Sequence, residues 1–117
     1  MNFTQWAFVT LAAGASGGLL FLLMLLTQIR YPRWFGPAHG MLGLVGLTLM
    51  GLALFGQGAA LSERAIWGFA TIAAALLGGG TFFRFIYRDR RPLFWVVMHG
   101  ALALAGLVLL FPIAFEL

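Results

Sequence analysis

Two histidines are the residues of this 117-residue sequence best suited to chemistry, and they lie 60 positions apart, at His39 and His99. Each is followed directly by a glycine and lies in a long apolar stretch. Imidazole binds metals and carries protons near neutral pH. A polar side chain within hydrocarbon costs free energy, so it indicates function and should face the interior of a helix bundle. The sequence therefore predicts that these two imidazoles form the functional site.

Several other chemistries are excluded by the composition. The sequence has no Cys, and all seven basic residues are Arg. Disulfides, iron–sulfur clusters, thiolate nucleophiles, covalently attached haem and a lysine Schiff base are therefore impossible. The three acids, Glu63, Asp89 and Glu116, lie in hydrophilic breaks or beside the last residue. Because no carboxylate is left within an apolar stretch, the sequence argues against a proton-coupled carrier.

Four apolar stretches account for most of the sequence. Hydrophobic residues make up 62% of it and charged residues 9%, a balance that soluble domains do not approach. The stretches cover residues 6–29, 37–56, 66–86 and 93–115. Each reaches the roughly 20 residues that a membrane-spanning helix needs. We therefore expect an all-α integral membrane four-helix bundle that forms one transmembrane domain over residues 1–117.

The arginines are distributed unevenly between the polar breaks. One of them, Arg64, falls in the second break, and the other six fall at the first and third connections, with Arg84 at the end of the third apolar stretch. Because cytoplasmic loops of membrane proteins are enriched in basic residues, we expect those two connections in the cytoplasm and both termini outside, in a bacterial-type inner (plasma) membrane. The net charge of +4 then reflects topology and contact with membrane lipid, and we expect no nucleic-acid partner. The six arginines at the first and third connections are Arg30, Arg33, Arg84, Arg88, Arg90 and Arg91.

An internal repeat relates the two halves of the sequence. Shifted by 60 positions, residues 30–49 align with residues 90–109 without a gap, and nine of the twenty positions are identical, both His-Gly dipeptides among them. We predict two duplicated helical hairpins, about residues 1–58 and 59–117, that enter the membrane in the same direction as a parallel repeat. This symmetry places the two histidines at equal depth on the second and fourth helices, where they face each other.

Small residues share the helix face of each histidine. A flat macrocycle between helices needs an imidazole at its metal and little volume beside it. Positions four and seven residues after a histidine lie on its face of a helix. These positions are Gly43, Gly46, Ala103 and Gly106. We therefore predict a haem whose iron takes His39 and His99 as its two axial ligands, with the four small residues beside the ring.

The predicted cofactor is haem b, because a sequence without Cys holds haem non-covalently. Two neutral imidazoles fill both axial positions, which suits electron transfer since no position is left for a substrate. We therefore expect a redox protein rather than an enzyme that converts a substrate. Arg30, Arg84 and Arg90 are candidate partners of the haem propionates through bidentate contacts. Anchoring in the lipid headgroups is the other interpretation of Arg84.

The paired His-Gly positions and the small residues beside them resemble those of small four-helix membrane cytochromes of the b type. The resemblance covers the architecture of most of the chain and rests on His39-Gly40, His99-Gly100 and those small residues. It implies that histidines on separate helices hold haem within the bundle, and that electrons pass to or from a quinone or another membrane redox protein. Members with two haems have two histidine pairs. This sequence has one pair, so the resemblance implies one haem.

Other interpretations of the histidine pair stay open. The alternative is a non-catalytic accessory or packing subunit of a larger membrane complex, in which the histidines are structural and the small residues serve close helix packing. The pair also suits a Zn or Cu ion with Met41 or Met98 nearby, although no third hard or thiolate ligand is present. A path for protons or a transported substrate is a further alternative, and assembly as a homo-oligomer is left open.

Overall fold

The structure, a computed structural model, describes residues 1–56, 60–86 and 92–116. It is helical, and the described residues contain no strand, as predicted. The third helix continues directly into one π-helical segment, Thr81–Ile86. The four α-helices are α1 (Phe3–Leu26), α2 (Phe35–Phe55), α3 (Glu63–Gly80) and α4 (Leu93–Phe115).

All four helices are long and apolar enough to cross a membrane. With its π-helical segment α3 extends over 24 residues, and α1, α2 and α4 have 24, 21 and 23 residues. The bundle measures 45 × 24 × 21 Å, and its long dimension is about the 40–45 Å thickness of a bilayer with its headgroups. Four membrane-length helices in one bundle are therefore confirmed.

Three helices begin two or three residues earlier than predicted, and polar side chains cap two of them, α1 and α3. α1 begins directly after Asn2, whose side chain accepts a hydrogen bond from the Gln5 backbone N–H at 2.9 Å. The Gln5 side chain accepts in turn from the Asn2 N–H at 3.1 Å, which completes a capping box. α3 begins directly after Ser62, whose hydroxyl accepts from the Ala65 N–H. The predicted helix starts were the first residues of the apolar stretches. The capping residues lie before those stretches, so the helices begin earlier.

α1 also ends three residues before its apolar stretch does. Gln28 has a φ of 57°, a left-handed conformation that a right-handed helix cannot continue through. The chain leaves the helix there, and Tyr31 folds back onto Phe21 with ring centroids 4.4 Å apart. The connection to α2 is therefore packed against α1.

Each helix packs against two others. α1 contacts α2 and α4, and α3 likewise contacts α4 and α2. The start of α1, the end of α2, the start of α3 and the end of α4 meet in one core, so consecutive helices are antiparallel. This arrangement puts α2 diagonally opposite α4, across the centre of the bundle. The core residues are Ala7, Leu11, Met50, Leu54, Ala65, Ile72, Leu107 and Leu110.

Glycines allow the helices to approach closely in this packed half of the bundle. A Cβ atom at Gly46 would lie 2.8 Å from Leu11 Cδ2 and 3.0 Å from the Leu11 backbone nitrogen. A Cβ atom at Gly106 would lie 2.6 Å from Ile72 Cδ1. All three distances are shorter than van der Waals contact, so only glycine fits between these helices without movement. Side chains of α1 and α3 therefore fill the space that the two glycines leave.

Replacement of Gly106 by Ala tests this packing. We expect Gly106→Ala to lower the free energy of unfolding by about 1–3 kcal/mol, because the methyl group overpacks the site beside Ile72. Gly100→Ala is the matched control in the same helix, since a methyl group there meets no atom within 4 Å. It should change stability by less than about 1 kcal/mol. Unfolding in detergent micelles measures both, and equal losses would contradict the role assigned to Gly106.

Candidate functional site

The two histidine rings meet at the centre of the bundle, in the half away from the packed core. His39 lies in the second turn of α2 and His99 in the second turn of α4. Their ring centroids are 6.1 Å apart and the ring planes are 84° apart. Two imidazoles that bind one metal from opposite sides, at about 2.0–2.1 Å from each nitrogen, have ring centres about 6 Å apart. The spacing therefore suits one shared metal, and it also lies within the range of an edge-to-face ring contact.

A hydrogen bond to α1 fixes the ring of His39. Its Nδ1 atom lies 2.8 Å from the backbone oxygen of Gly14. A carbonyl oxygen only accepts, so Nδ1 carries the proton and donates it, and Nε2 keeps its lone pair. Nε2 makes no hydrogen bond to any residue that the structure describes. The ring is therefore oriented as metal-binding histidines are, with one nitrogen bonded to a carbonyl and the other available to a ligand.

His99 has no such hydrogen bond. Its Nδ1 atom is buried and finds no partner among the described residues. The backbone of Ala75 in α3, 61 positions after Gly14, approaches the ring as a hydrogen-bond partner, but Nδ1 lies outside the distance and angle of a formed hydrogen bond. The two histidines thus share a location and differ in how they are held.

Each ring packs against a glycine of the preceding helix. A Cβ atom at Gly18 of α1 would lie 2.9 Å from His39 Cε1, and one at Gly79 of α3 would lie 2.6 Å from His99 Cε1. Any larger residue at either position would push the imidazole out of its place. These two glycines therefore set how far the rings stand from α1 and α3.

A cavity of about 490 Å³ surrounds the histidines, a volume within the usual range of small-molecule sites. All four helices contribute to its wall, which is apolar apart from the two imidazoles, the backbone and Arg84. Phe83 stands edge-on to His99 at 5.7 Å between ring centroids. The wall is formed by Leu11, Gly14, Ala15, Gly18, Phe21, Leu25, Gly36, Pro37, His39, Gly40, Gly43, Ile72, Ala75, Leu76, Gly79, Gly80, Phe83, Arg84, Val96, His99, Ala103 and Leu107.

The π-helical segment forms one end of this wall. It begins directly after Gly80 and carries Phe83 and Arg84 at the cavity. Phe82 stacks on Trp95 of α4, with ring centroids 4.5 Å apart and planes 15° apart, which joins the segment to the neighbouring helix. Wide helical turns of this kind occur frequently at functional sites.

The small residues predicted beside the histidines divide into two groups. Gly43 and Ala103, four residues after each histidine, are part of the cavity wall. Gly46 and Gly106, seven residues after each histidine, are buried against Leu11 and Ile72 instead. The second pair is therefore not part of the cavity wall, and side chains of α1 and α3 occupy the space beside it.

The predicted arginines are also placed differently from one another. Arg84 belongs to the cavity wall. Arg30 is exposed in the connection between α1 and α2 and is not part of that wall. Arg90 lies outside the described residues. Of the described candidates for pairing with an anionic ligand, Arg84 is therefore the one beside the histidines.

The donor set at the cavity consists of two imidazoles. Among the described residues, no group of three or more His, Asp or Glu side chains could hold a metal ion. Met41 and Met98 are 58% and 50% exposed and do not join the wall, so neither supplies a thioether ligand there.

No protein-family model matches the chain, and neither the curated proteins nor the solved structures contain a match.

The sequence does not specify which contacts α1 and α3 make with the two rings. The Gly14 carbonyl has no side-chain signal at all. Gly18 and Gly79 belong to glycine-rich stretches, whose contacts with the two rings depend on how the helices face each other. The two glycines correspond to each other in the repeat, since Gly79 follows Gly18 by 61 positions.

The hydrogen bond of His39 predicts that removal of the two rings has unequal effects on stability. We expect His39→Leu to lower the free energy of unfolding by about 1 kcal/mol, because the bond to Gly14 is lost. His99→Leu should cost less or be stabilising, since it removes a buried nitrogen that has no partner. Unfolding of both variants in detergent micelles measures the difference. A larger loss for His99→Leu would contradict the hydrogen-bond assignment.

Proposed function

We propose that the protein is a membrane electron carrier that holds one haem b, without a covalent link, between His39 and His99. The observation that carries the proposal is the central pair of imidazoles, 6.1 Å apart between centroids, in a cavity of about 490 Å³ to which all four helices contribute. Nε2 of His39 has a lone pair and no hydrogen bond to a described residue. The site thus offers axial ligands and space beside them.

The donor set favours a metal that brings its own equatorial ligands. A bare Zn²⁺ ion takes three or four protein ligands, and the described part of the cavity supplies two. Two opposed imidazoles are the complete protein contribution to a six-coordinate haem. The residues present therefore fit haem b better than they fit a free divalent ion.

Each part of the site has a defined task in this proposal. His39 and His99 would each bind the haem iron, and no position would then stay open to a substrate. Gly43 and Ala103 leave room beside the rings, and the apolar wall excludes water. Arg84 supplies positive charge at the cavity, which suits carboxylates on the edge of the bound ring. Haem held in this way exchanges single electrons.

We also propose that the chain is a duplicated hairpin with a parallel repeat. Contacts that occur at corresponding positions in the two halves of the chain support this proposal. Leu11 fills the space beside Gly46 as Ile72 fills the space beside Gly106, and Gly18 lies against His39 as Gly79 lies against His99. Partners on α3 follow those on α1 by 61 positions, and partners on α4 follow those on α2 by 60. A two-fold axis between the two imidazoles accounts for their common depth.

The proposed location is a bacterial-type inner membrane, with the histidines near the cytoplasmic side and both termini outside. The concentration of arginines in the first and third connections supports this topology. The proposed partners are membrane lipid and a quinone or another membrane redox protein. The proposal of a quinone as partner is based on the resemblance to small b-type cytochromes.

Absorption spectroscopy tests the proposed cofactor. Protein purified from haem-replete cells should be red, with a Soret band and sharp visible bands after reduction with dithionite. His39→Ala and His99→Ala should each broaden or abolish these bands, because each removes one axial ligand. Met98→Ala is the matched control, since Met98 is 50% exposed and lies next to His99 outside the cavity.

A colourless wild-type protein that does not take up added haem would refute the proposal. It would favour a non-catalytic accessory or packing subunit, in which the bond from His39 to Gly14 and the buried glycines serve helix packing alone. Loss of the bands in Met98→Ala as well would show that they report folding rather than ligation.

Cysteine labelling tests the proposed topology, because the chain has no Cys of its own. Ala60→Cys and Arg33→Cys introduce thiols at exposed positions on opposite sides of the bundle. A membrane-impermeant maleimide added to intact cells with a permeable outer envelope should label Ala60→Cys, and should label Arg33→Cys only after the inner membrane is opened. The reverse pattern would place the arginine-rich connections outside.

A further inference from the structure

The cavity reaches the outside of the bundle between α2 and α3. A Cβ atom at Gly43 of α2 would lie 3.3 Å from Leu76 Cδ1 of α3, so the two helices touch at that depth. Gly40 and Gly80 lie about one turn closer to the arginine-rich connections, on the same faces of these helices. A Cβ atom at either glycine would meet no atom within 4 Å, and both glycines belong to the cavity wall. The two helices therefore leave a gap that joins the cavity to the surface.

The opposite side of the bundle, between α1 and α4, is different. The repeat places Gly100 of α4 at the position of Gly40, 60 positions later, and Leu19 of α1 at the position of Gly80, 61 positions earlier. Neither Gly100 nor Leu19 belongs to the cavity wall. The gap is therefore present on one side of the histidine pair, and it departs from the symmetry of the two hairpins.

A positive charge lies at the edge of the gap. Arg84 is exposed and belongs to the cavity wall, four residues after Gly80. Among the described residues, no carboxylate forms an ion pair with it. Glu63 begins α3 and Glu116 follows α4, so both lie at the other end of the bundle, and Asp89 lies outside the described residues. The described part of the chain thus leaves the guanidinium available to an anion from outside.

We propose that the gap between α2 and α3 binds one phospholipid with an anionic headgroup. Its phosphate pairs with Arg84, and one acyl chain lies over Gly40 and Gly80. A gap in the side of a bundle of membrane-length helices faces the bilayer, and basic sites between such helices bind anionic headgroups at the cytoplasmic side. The inference goes beyond the proposed haem, since it uses the edge of the cavity and neither histidine.

An anionic headgroup suits Arg84 better than a zwitterionic one. In phosphatidylcholine an ammonium group balances the charge of the phosphate, whereas in phosphatidylglycerol that charge is unbalanced. A guanidinium pairs with phosphate through two parallel N–H donors. Because it has five donors in all, this pairing leaves donors for a carboxylate within the cavity, which is the role proposed above for Arg84.

Native mass spectrometry of the detergent-purified protein tests the site. Phosphatidylglycerol and phosphatidylcholine with the same acyl chains are added separately to the wild-type protein. We expect one phosphatidylglycerol per chain to bind saturably, at least about fivefold more tightly than phosphatidylcholine, because Arg84 meets a net negative charge. Equal affinities for the two lipids, or uptake of many lipids without a first saturable site, would overturn the inference. This comparison holds even where a variant does not fold.

Two pairs of variants locate the bound lipid. Arg84→Gln should lower the affinity for phosphatidylglycerol at least about fivefold. Arg30→Gln should not, since Arg30 is exposed outside the cavity wall. Gly80→Leu gives α3 the residue that α1 has at the corresponding position and should block the gap. Gly100→Leu is its control, because Gly100 also has free space but lies outside the wall. Equal losses within either pair would show general attraction to the protein surface and overturn the inference.

The outcomes for lipid and for haem are independent of each other. A protein that binds phosphatidylglycerol at one site and binds no haem refutes the proposed function and leaves this inference intact. A protein that binds haem and shows no preference for phosphatidylglycerol leaves the electron carrier intact and refutes the lipid site alone.

Discussion

The structure depends on one constraint, which is that two imidazoles from diagonally opposite helices meet at the centre of the bundle. α2 and α4 approach the centre across the space between α1 and α3, and the rings stand 6.1 Å apart between centroids. Glycines at positions 18 and 79 allow this, because any side chain there would collide with a ring. A polar pair at the centre of an apolar bundle is costly unless it binds something or is bonded within the protein. His39 is bonded in this way, through Gly14.

The two halves of the bundle along its length differ in packing: one half is tightly packed, and the other contains the candidate site. One half contains the buried core and the two glycines against which Leu11 and Ile72 pack. The other half contains the histidines, the cavity and the π-helical segment. Because the packed half joins all four helices, the open half can keep a cavity without loss of the fold. This division explains why Gly46 and Gly106 serve packing while Gly43 and Ala103, one turn closer to the histidines, serve the cavity.

Much of the fold and the central pair followed from the sequence, whereas the details of the site did not. Apolar length and short breaks predict four helices, and the matched His-Gly positions predict that the two rings meet. Helical periodicity places Gly46 and Gly106 on the same helix face as the histidines. It cannot tell which side chain of a neighbouring helix packs against each position of that face. The Gly14 carbonyl and the left-handed turn at Gln28 are backbone features, so no side-chain pattern reports them.

Electron paramagnetic resonance of the oxidised protein shows whether both imidazoles bind the iron of one haem. Two axial imidazoles on one ferric haem give a low-spin signal, and ring planes near the 84° of the structure give the strongly anisotropic form of that signal, with one large g value. We expect this form in the wild-type protein. A purely high-spin signal would mean that the histidines do not both bind the iron, and a protein without any haem signal would contradict the account of the two rings as its ligands.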